Sequence, residues 1–320
     1  MERNAERIQT VRRLKEEIYG EYGFFYYVPM AESYTVQIPV TVSCSYRRCL
    51  YCDLNQGMAF RELSLEEIER NIERLRFIHE TDSRPPKRFL LAGGNPFVLS
   101  SEKLLAVAER VRDSFPSCET ISCFARADDV LNKTDSELNA LRSAGYNRLC
   151  LGIESGSDRV LRYHEKGVGR AENAGAMAAL DAAGMCYSAY IMLGLGGREM
   201  SAGHVEDTAS LLNNAHPFEL TVVTLVLFKG ARLVERVRTR EFKRMTSLET
   251  LREGRELLSR LTLSTVWNAT HKTNLFPIKG KLPEHKGLIL RRIDTAIDEM
   301  SGGEGLKRYE LRRWQNWGVE

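Results

Sequence analysis

Six short apolar runs alternate with stretches of helical periodicity along the chain, and this alternation constrains the fold more than any other feature. The runs are residues 36–42, 88–92, 120–125, 148–153, 186–195 and 220–228. The helical stretches are residues 64–79, 101–115, 136–144, 158–183, with a break near 167–169, and 202–214. Strands that alternate with helices indicate parallel βαβ units, which wind an open sheet or curl into a barrel. We expect the α/β class and a partial (βα)6 TIM-like barrel.

The six units predict one barrel core with an extension at each end. We expect an N-terminal helical extension over residues 1–35, the barrel core over 36–262 and a C-terminal extension over 263–320 that covers the barrel. Glycines follow three of the strands, at 93–94, 156 and 194–197. Because the loops after the carboxyl ends of barrel strands build the active site, these glycines mark one functional face.

Charge and hydropathy exclude several classes of protein. The chain has 46 Lys and Arg against 43 Asp and Glu, a formal net charge of +3, so a dedicated nucleic-acid binder is not expected. The apolar runs are shorter than the roughly 20 residues that cross a bilayer, and the N-terminus lacks the apolar core of a secretory signal. We therefore expect no membrane partner and a cytoplasmic location, where thiols stay reduced.

Three of the seven cysteines, Cys44, Cys49 and Cys52, lie within nine residues. Three soft thiolates on one loop can surround one metal centre, and no fourth ligand is nearby. Structural zinc normally takes four protein ligands, so the loop favours a four-iron cluster with one open iron. Structural zinc and packed or redox-active thiols are the alternatives. The other cysteines, at 118, 123, 150 and 186, are expected to pack as small apolar groups.

The loop Cys44-x4-Cys49-x2-Cys52, with Tyr51 before its last cysteine, resembles that of the radical S-adenosylmethionine superfamily. The commoner spacing is three residues and then two. The wider first spacing is similar to a subset loosely described as oxygen-independent coproporphyrinogen oxidase-like proteins. The resemblance covers roughly residues 39–297 and implies a [4Fe-4S] cluster on the three cysteines, with S-adenosylmethionine bound at the open iron.

Further motifs extend the resemblance and imply contacts with S-adenosylmethionine. Residues 90–99 resemble the glycine-rich motif that receives the methionine amino group, with Gly93, Gly94 and Asn95 at its centre; an acidic residue is common at the position of Asn95. Residues 152–158 resemble the motif of the fourth barrel strand. There Glu154 and Lys166, twelve residues later, match a carboxylate and a basic residue that contact the cofactor.

Two more residues complete the expected cofactor set. Residues 190–197 resemble the fifth barrel strand, whose apolar side chains lie against adenine, and Ile191 is assigned to that role. Arg126 follows the third strand; it could reach a carboxylate at the barrel mouth or pair with Asp128 or Asp129.

Two later segments are less specific. Residues 270–274 and 280–283 resemble the C-terminal signature of the subset, and within them His271 and Asn274 could line the substrate pocket or fasten the tail. Residues 229–244, the basic stretch, hold seven Lys and Arg against two Glu. This stretch is interpreted as a solvated face, with a phosphate or nucleic-acid patch as the alternative.

The resemblance implies a radical enzyme. It would reductively cleave S-adenosylmethionine to a 5′-deoxyadenosyl radical that acts on a small-molecule substrate, with electrons from a donor such as flavodoxin or ferredoxin. A second hypothesis is noncanonical cleavage with transfer of the 3-amino-3-carboxypropyl group, for example to arsenic as in arsinothricin synthesis. A third is a non-catalytic barrel that binds zinc or an iron–sulfur cluster. The sequence does not separate the first two, because both need the same cofactors.

Overall fold

The structure, a computed structural model, describes residues 2–20, 32, 34–54 and 57–301. The chain falls into two compact units. Unit 1 comprises Met1–Arg47, Leu54–Cys150 and Ala183–Met185. Unit 2 comprises Arg48–Asp53, Leu151–Ala182 and Cys186–Glu320.

The strands and helices alternate along the chain. The strands are β1 (Val36–Pro39), β2 (Thr41–Val42), β3 (Arg61–Glu62), β4 (Arg88–Ala92), β5 (Thr120–Ala125), β6 (Leu149–Glu154), β7 (Tyr187–Leu193), β8 (Glu219–Thr224), β9 (Thr265–Asn268) and β10 (Lys279–Leu282). The helices are α1 (Glu2–Tyr19), α2 (Leu65–His79), α3 (Ser101–Ser114), α4 (Ala127–Leu131), α5 (Asp135–Ser143), α6 (Asp158–Tyr163), α7 (Arg170–Ala182), α8 (Gly197–Leu212), α9 (Leu233–Arg238), α10 (Ser247–Arg260) and α11 (Lys286–Ser301). A short 3₁₀ helix spans Pro96–Val98.

Unit 1 is built on three parallel strands in the order β1-β4-β5. Their side chains are almost all buried, as expected for parallel strands that helices cover. Helix α2 packs on β1 and lies between α1 and α3. It begins with a capping box, in which the Ser64 side chain accepts from the Glu67 amide and the Glu67 carboxylate accepts from the Ser64 amide. The strands β2 and β3 form a separate antiparallel pair.

Unit 2 continues the alternation with strands in the order β6-β7-β8-β9-β10. Strands β7, β8 and β9 run parallel, and β10 pairs antiparallel with β9. Helix α10 packs against both α8 and α11. Strand β6 begins in unit 1 and carries the chain into unit 2 at Leu151.

The predicted α/β class is confirmed, and all six predicted strands are present. The first is interrupted at Val40, and the sixth ends at Thr224 rather than at residue 228. The predicted break near 167–169 separates α6 from α7.

The C-terminal segment differs from expectation. The proline and glycine residues within residues 270–283 predict a loop, but this segment contains β10, and β9 precedes it. Both strands are short. Strand β9 depends on pairing with β8, a distant partner that local pattern does not show, and β10 depends in turn on pairing with β9. The segment therefore adds strands to the sheet of unit 2. The three domain ranges stay predictions, and residues 1, 21–31, 33 and 302–320 of the two extensions lie outside the described residues.

None of the helices in the described ranges combines the length and the apolar character that a membrane crossing needs.

Candidate cofactor-binding site

Cys44, the first cysteine of the loop, lies in unit 1 against the glycine-rich turn after β4. The Gly94 amide donates to the Ser43 carbonyl at 3.0 Å. A Cβ atom added at Gly94 would lie 2.5 Å from both Cα and Cβ of Cys44. Only glycine permits this approach, so the predicted motif at Gly93 and Gly94 has a direct structural role beside the first cysteine.

Two buried hydroxyl groups beside this turn have no hydrogen-bond partner in the described structure. They are Oγ1 of Thr41 and Oγ of Ser43. A Cβ at Gly93 would lie 1.9 Å from the Thr41 hydroxyl, so the turn leaves the hydroxyl in contact with bare backbone. Buried hydroxyl groups without a partner are costly, and polar groups of a ligand are one means of satisfying them.

Asn95 is buried and links the cysteine loop to α4. Its Oδ1 accepts from the Ser45 amide at 2.9 Å, and its Nδ2 donates to Ser45 Oγ at 2.9 Å. The same Nδ2 donates to Asp129 Oδ2 at 2.9 Å. Burial raises the pKa of Asp129 to about 6, although hydrogen bonds from Arg126 and Asn95 oppose the rise. The resemblance leads us to expect an acidic residue at the position of Asn95. Asp129, which the sequence does not mark as functional, supplies a carboxylate beside Asn95 instead.

Arg126 is buried and supports the loop from the side. Its guanidinium lies 4.0 Å from the ring centroid of Tyr46, a cation–π contact. Its Nε and Nη2 donate to Asp128 at 2.9 and 3.0 Å. The pairing with Asp128 that the sequence allows is therefore present, and a cofactor contact by Arg126 stays a prediction.

Cys49 and Cys52 lie in unit 2 and pack against a hydrophobic cluster. The buried members of this cluster include Leu50, Tyr51, Leu195 and Phe242. The Tyr51 hydroxyl is within hydrogen-bonding reach of the Cys49 thiol, and burial, followed by the nearby Glu154 charge, raises the pKa of Tyr51. Tyr51 is thus held neutral against the cysteine side chains.

Glu154 and Lys166 form an ion pair at the end of β6, with Nζ 3.2 Å from Oε1. Glu154 has a φ of +63°, a strained conformation for a residue with a side chain. The side chains are only 12% and 6% exposed, so neither charge is well solvated. Removing one partner of a buried ion pair is strongly destabilising, because the other charge is left buried and uncompensated. The pair also presents opposite charges that can each bind part of a zwitterion.

Ile191 and Met192 point to opposite faces of β7, since side chains alternate along a strand. Ile191 is fully buried, whereas Met192 is partly exposed and packs against the same hydrophobic cluster as Cys49 and Cys52. The adenine contact assigned to Ile191 stays a prediction. Because side chains alternate along β7, Met192 lies on the opposite face and is a second candidate for that contact.

His271 and Asn274 lie in the turn between β9 and β10. The Asn274 amide donates to the carbonyls of Val222 and Ala269 at 2.7 and 2.8 Å, and its oxygen accepts from Thr224 at 2.8 Å. Asn274 therefore fastens this turn to β8, and its polar atoms are committed to the fold. His271 is buried, and burial lowers its pKa to about 4. A substrate role for either residue stays a prediction.

The four remaining cysteines differ in burial. Cys123 and Cys150 are buried, as expected for packed thiols, and Cys118 is half-buried. Cys186 is exposed, which corrects the expectation that it packs. Its position directly before β7, at the strand entrance, leaves the side chain outside the core.

The residue types in the loop and beside it suit an iron–sulfur cluster and a small zwitterionic cofactor. The donor set comprises three thiols on one loop, with a glycine turn against the first and two unsatisfied hydroxyl groups beside it. Within the described ranges, no three Cys, His, Asp or Glu side chains form a ready metal-binding group. The assignment of Cys44, Cys49 and Cys52 as ligands therefore rests on their sequence spacing.

Comparison with known proteins identifies the family and the fold. The model of the radical SAM superfamily matches residues 38–212. Among solved structures, coproporphyrinogen III oxidase (HemN) from Escherichia coli, a radical SAM enzyme, has a TM-score of 0.55 at 17% identity over 70% of this chain. Methylornithine synthase (PylB) has a TM-score of 0.51 at 16% identity over 78% of this chain. The predicted partial (βα)6 TIM-like barrel is confirmed by this likeness. No curated protein matches.

The chain spans only part of these structures. The match covers 51% of the coproporphyrinogen III oxidase and 66% of the methylornithine synthase. At such low identity the likeness establishes the fold and leaves substrate and reaction open.

Proposed function

Since the chain belongs to the radical SAM superfamily, we propose that it reductively cleaves S-adenosylmethionine to a 5′-deoxyadenosyl radical that acts on a small-molecule substrate. The chain is an enzyme of this superfamily, whose cofactors are a [4Fe-4S] cluster and S-adenosylmethionine. The bond that is cleaved and the nature of the substrate are the parts that we propose.

Cys44, Cys49 and Cys52 would hold the cluster. When bound, the cluster supplies one electron to the sulfonium of S-adenosylmethionine and an open iron for its amino and carboxylate groups. Because the cysteine loop carries three thiols, one coordination position of a bound cluster would be left for S-adenosylmethionine. The close approach of Gly94 to Cys44 is the single observation that carries this proposal, since it places bare backbone beside the first ligand.

The chain's own residues would bind and orient S-adenosylmethionine. The carbonyl groups of the turn at Gly93 and Gly94 can accept from its ammonium, and Asn95 holds that turn against Ser45. Glu154 can bind ribose hydroxyl groups or the ammonium, while Lys166 can pair with the carboxylate. Tyr51 and the apolar cluster around it, against which Cys49, Cys52 and Met192 all pack, would limit the access of water to this side of the cluster.

Anaerobic reconstitution followed by product analysis tests the proposal. We expect about four irons and four sulfides per chain and, with dithionite as reductant, 5′-deoxyadenosine and methionine as products. Formation of 5′-methylthioadenosine would instead show transfer of the 3-amino-3-carboxypropyl group and would contradict the proposed cleavage. Stoichiometric zinc without iron would contradict both.

Single cysteine substitutions test the ligand assignment. Cys44→Ser, Cys49→Ser and Cys52→Ser are each expected to lower the iron content by more than half and to abolish S-adenosylmethionine cleavage. The matched control is Cys186→Ser, since Cys186 is exposed and lies outside the loop. Iron loss in the control equal to that in the loop variants would refute the assignment.

A further inference from the structure

A surface cleft in unit 2 lies beside the hydrophobic cluster against which Cys49 and Cys52 pack. Its volume is about 380 Å³, and its lining includes Arg159 and Tyr163 of α6 and Phe242 of the basic stretch. Phe242 and Tyr163 also belong to, or pack against, the cluster that contacts the two cysteines. One wall of the cleft is therefore formed by side chains of the same cluster against which the two cysteines pack.

The rim of the cleft is cationic. Four cationic side chains line it, Arg159, Arg162, Arg198 and Lys243, together with two carboxylates. Lys243 pairs with Glu199 and Arg198 pairs with Glu249. Arg159 and Arg162 are exposed on α6, and neither forms a salt bridge with another residue in the described part of the chain. The cleft thus presents positive charge that is available to an acidic surface.

A column of aromatic rings crosses from the cleft to the cysteine loop. The rings of Tyr163 and His164 are 5.1 Å apart, and those of Phe242 and His164 are 5.5 Å apart. His164 in turn stands 5.6 Å from Tyr51, whose hydroxyl reaches the Cys49 thiol. All these contacts are edge-on arrangements at the spacing of packed rings. The surface and the thiol are therefore joined by only two ring-to-ring steps.

His164 is held as a neutral member of this column. It is fully buried, and its Nε2 donates to the Leu195 carbonyl at 2.7 Å. Burial lowers its pKa to about 4, so the ring adds no positive charge between the cleft and the loop near pH 7. Its own carbonyl accepts from the Leu50 amide at 3.0 Å, which fastens the column to the loop.

The basic stretch is bonded to the same loop. The Leu233 amide donates to the Leu50 carbonyl at 2.8 Å, and Arg232 Nη2 donates to the Arg48 carbonyl. Phe242 of this stretch is buried against Tyr163 and His164. The basic stretch, which the sequence analysis interprets as a solvated face, thus connects a cationic surface to the backbone of the cysteine loop.

We propose that this cleft is the docking face for an acidic one-electron carrier protein and that the column of Tyr163, Phe242, His164 and Tyr51 links the carrier to Cys49. The inference rests on the proposed function and adds the partner's surface to it. The transfer balances as one electron: the carrier is oxidised by one electron, the cluster is reduced by one, and no bond or proton moves. Charge complementarity selects an acidic protein, because a cationic rim accelerates its association.

Charge reversal on the rim tests the docking face. The variant Arg159→Glu/Arg162→Glu is compared with wild type in the reconstituted holoenzyme, with flavodoxin as the probe. We expect flavodoxin-driven S-adenosylmethionine cleavage to slow by at least about tenfold at low ionic strength, because electrostatic steering changes association rates over that range. Binding of oxidised flavodoxin, followed by flavin fluorescence anisotropy, should weaken by a similar factor. Dithionite-driven cleavage should stay within about twofold of wild type, since a small reductant needs no docking face.

The matched control is Arg76→Glu/Arg291→Glu, which makes the same charge change at exposed arginines of α2 and α11 that do not line the cleft. It should retain both flavodoxin binding and flavodoxin-driven cleavage. Equal weakening in the control, or unchanged flavodoxin binding in the rim variant, overturns the proposal. If the rim variant folds poorly, Arg159→Gln/Arg162→Gln replaces it. This variant removes two positive charges without adding negative ones, so flavodoxin binding should weaken by a smaller factor.

The aromatic column has a separate test. Tyr163→Leu should slow flavodoxin-driven reduction without changing flavodoxin binding, whereas Tyr163→Phe, which keeps the ring, should retain both. An equal rate in Tyr163→Leu and Tyr163→Phe refutes the column. If wild type failed to cleave S-adenosylmethionine even with dithionite, the proposed function would be wrong. That result differs from a failure of the docking proposal, in which dithionite-driven cleavage is retained.

Discussion

The two ends of the cysteine loop lie in different chemical surroundings. In unit 1, Cys44 is flanked by hydrogen-bonding groups: Asn95 and Asp129 secure the adjacent Ser45, and Arg126 lies over Tyr46. In unit 2, Cys49 and Cys52 pack against Tyr51 and the apolar cluster. We call the first setting the polar edge of the loop and the second its apolar edge. The polar edge offers groups that could hold a zwitterionic ligand, as proposed, and the apolar edge adjoins the aromatic rings proposed to link a carrier to Cys49. One short loop thus places its cysteines in two kinds of chemical environment.

The largest expected effect is on the apolar edge. Phe242→Ala removes a buried ring from the cluster and should lower the free energy of unfolding by about 3–5 kcal/mol, through lost burial and the cavity left behind. Urea denaturation measures the change. Phe77→Ala is the control, since Phe77 is 36% exposed and should lose far less. Equal losses in both variants would show that the ring does not stabilise the cluster.

The two edges should respond to pH in opposite directions. Burial lowers the pKa of His164 from 6.5 to about 4. The folded form therefore binds its proton less readily than the unfolded chain, and stability is lost as pH falls from 6.5 towards 4. Burial raises the pKa of Asp129 from 3.8 to about 6, so stability is lost as pH rises from 3.8 to 6. Each shift corresponds to about 3 kcal/mol over its window.

Urea denaturation of His164→Gln and Asp129→Asn between pH 3.5 and 7 checks these signs. Relative to wild type, His164→Gln should gain stability as pH falls, and Asp129→Asn should gain stability as pH rises. The difference from wild type cancels the contribution of every other titrating group. Parallel pH curves for wild type and either variant would show that the group does not titrate in this window.

A smaller effect is expected on the polar edge from Gly94→Ala. The added Cβ would lie 2.5 Å from Cα and Cβ of Cys44, so the backbone must move, at a cost of about 1–3 kcal/mol. The iron content after reconstitution should fall with it, because the first ligand is displaced. Gly203→Ala is the control, since nothing lies within 4 Å of its added Cβ and α8 should be unchanged or stabilised. Full iron content in Gly94→Ala would show that the close approach of Gly94 to Cys44 is not needed for cluster binding.

The smallest effect is expected from Tyr46→Leu, which removes the cation–π contact with Arg126. The loss should be about 0.5–2 kcal/mol by urea denaturation. Tyr46→Phe keeps the ring face and should retain most of the contact. A loss in Tyr46→Phe as large as that in Tyr46→Leu would assign the effect to the hydroxyl group instead.

The local parts of the fold are readable from sequence because their signals lie within one element. Alternating apolar runs predict β4 and β5 at their observed bounds, and glycine near 167–169 predicts the break between α6 and α7. Strands β9 and β10 are missed because β9 is stabilised by pairing with the distant strand β8, and β10 by pairing with β9. Within the site, Asp129 and Met192 are missed for different reasons. Asp129 meets Asn95 only through folding, whereas the alternation of β7 could have indicated Met192 beside Ile191.

The sequence by itself determined the three thiols, their spacing, the glycine turn and the order of strands and helices, because each depends on residues close together in the chain. Only the tertiary structure decided which side chains stand around those thiols. Tyr51, His164 and Phe242 are far apart in sequence, and their rings meet through packing. The same holds for Asn95 and Asp129, whose hydrogen bond joins the turn after β4 to α4. Burial then sets the charge states of Asp129 and His164, since desolvation shifts a pKa only where the folded chain removes water.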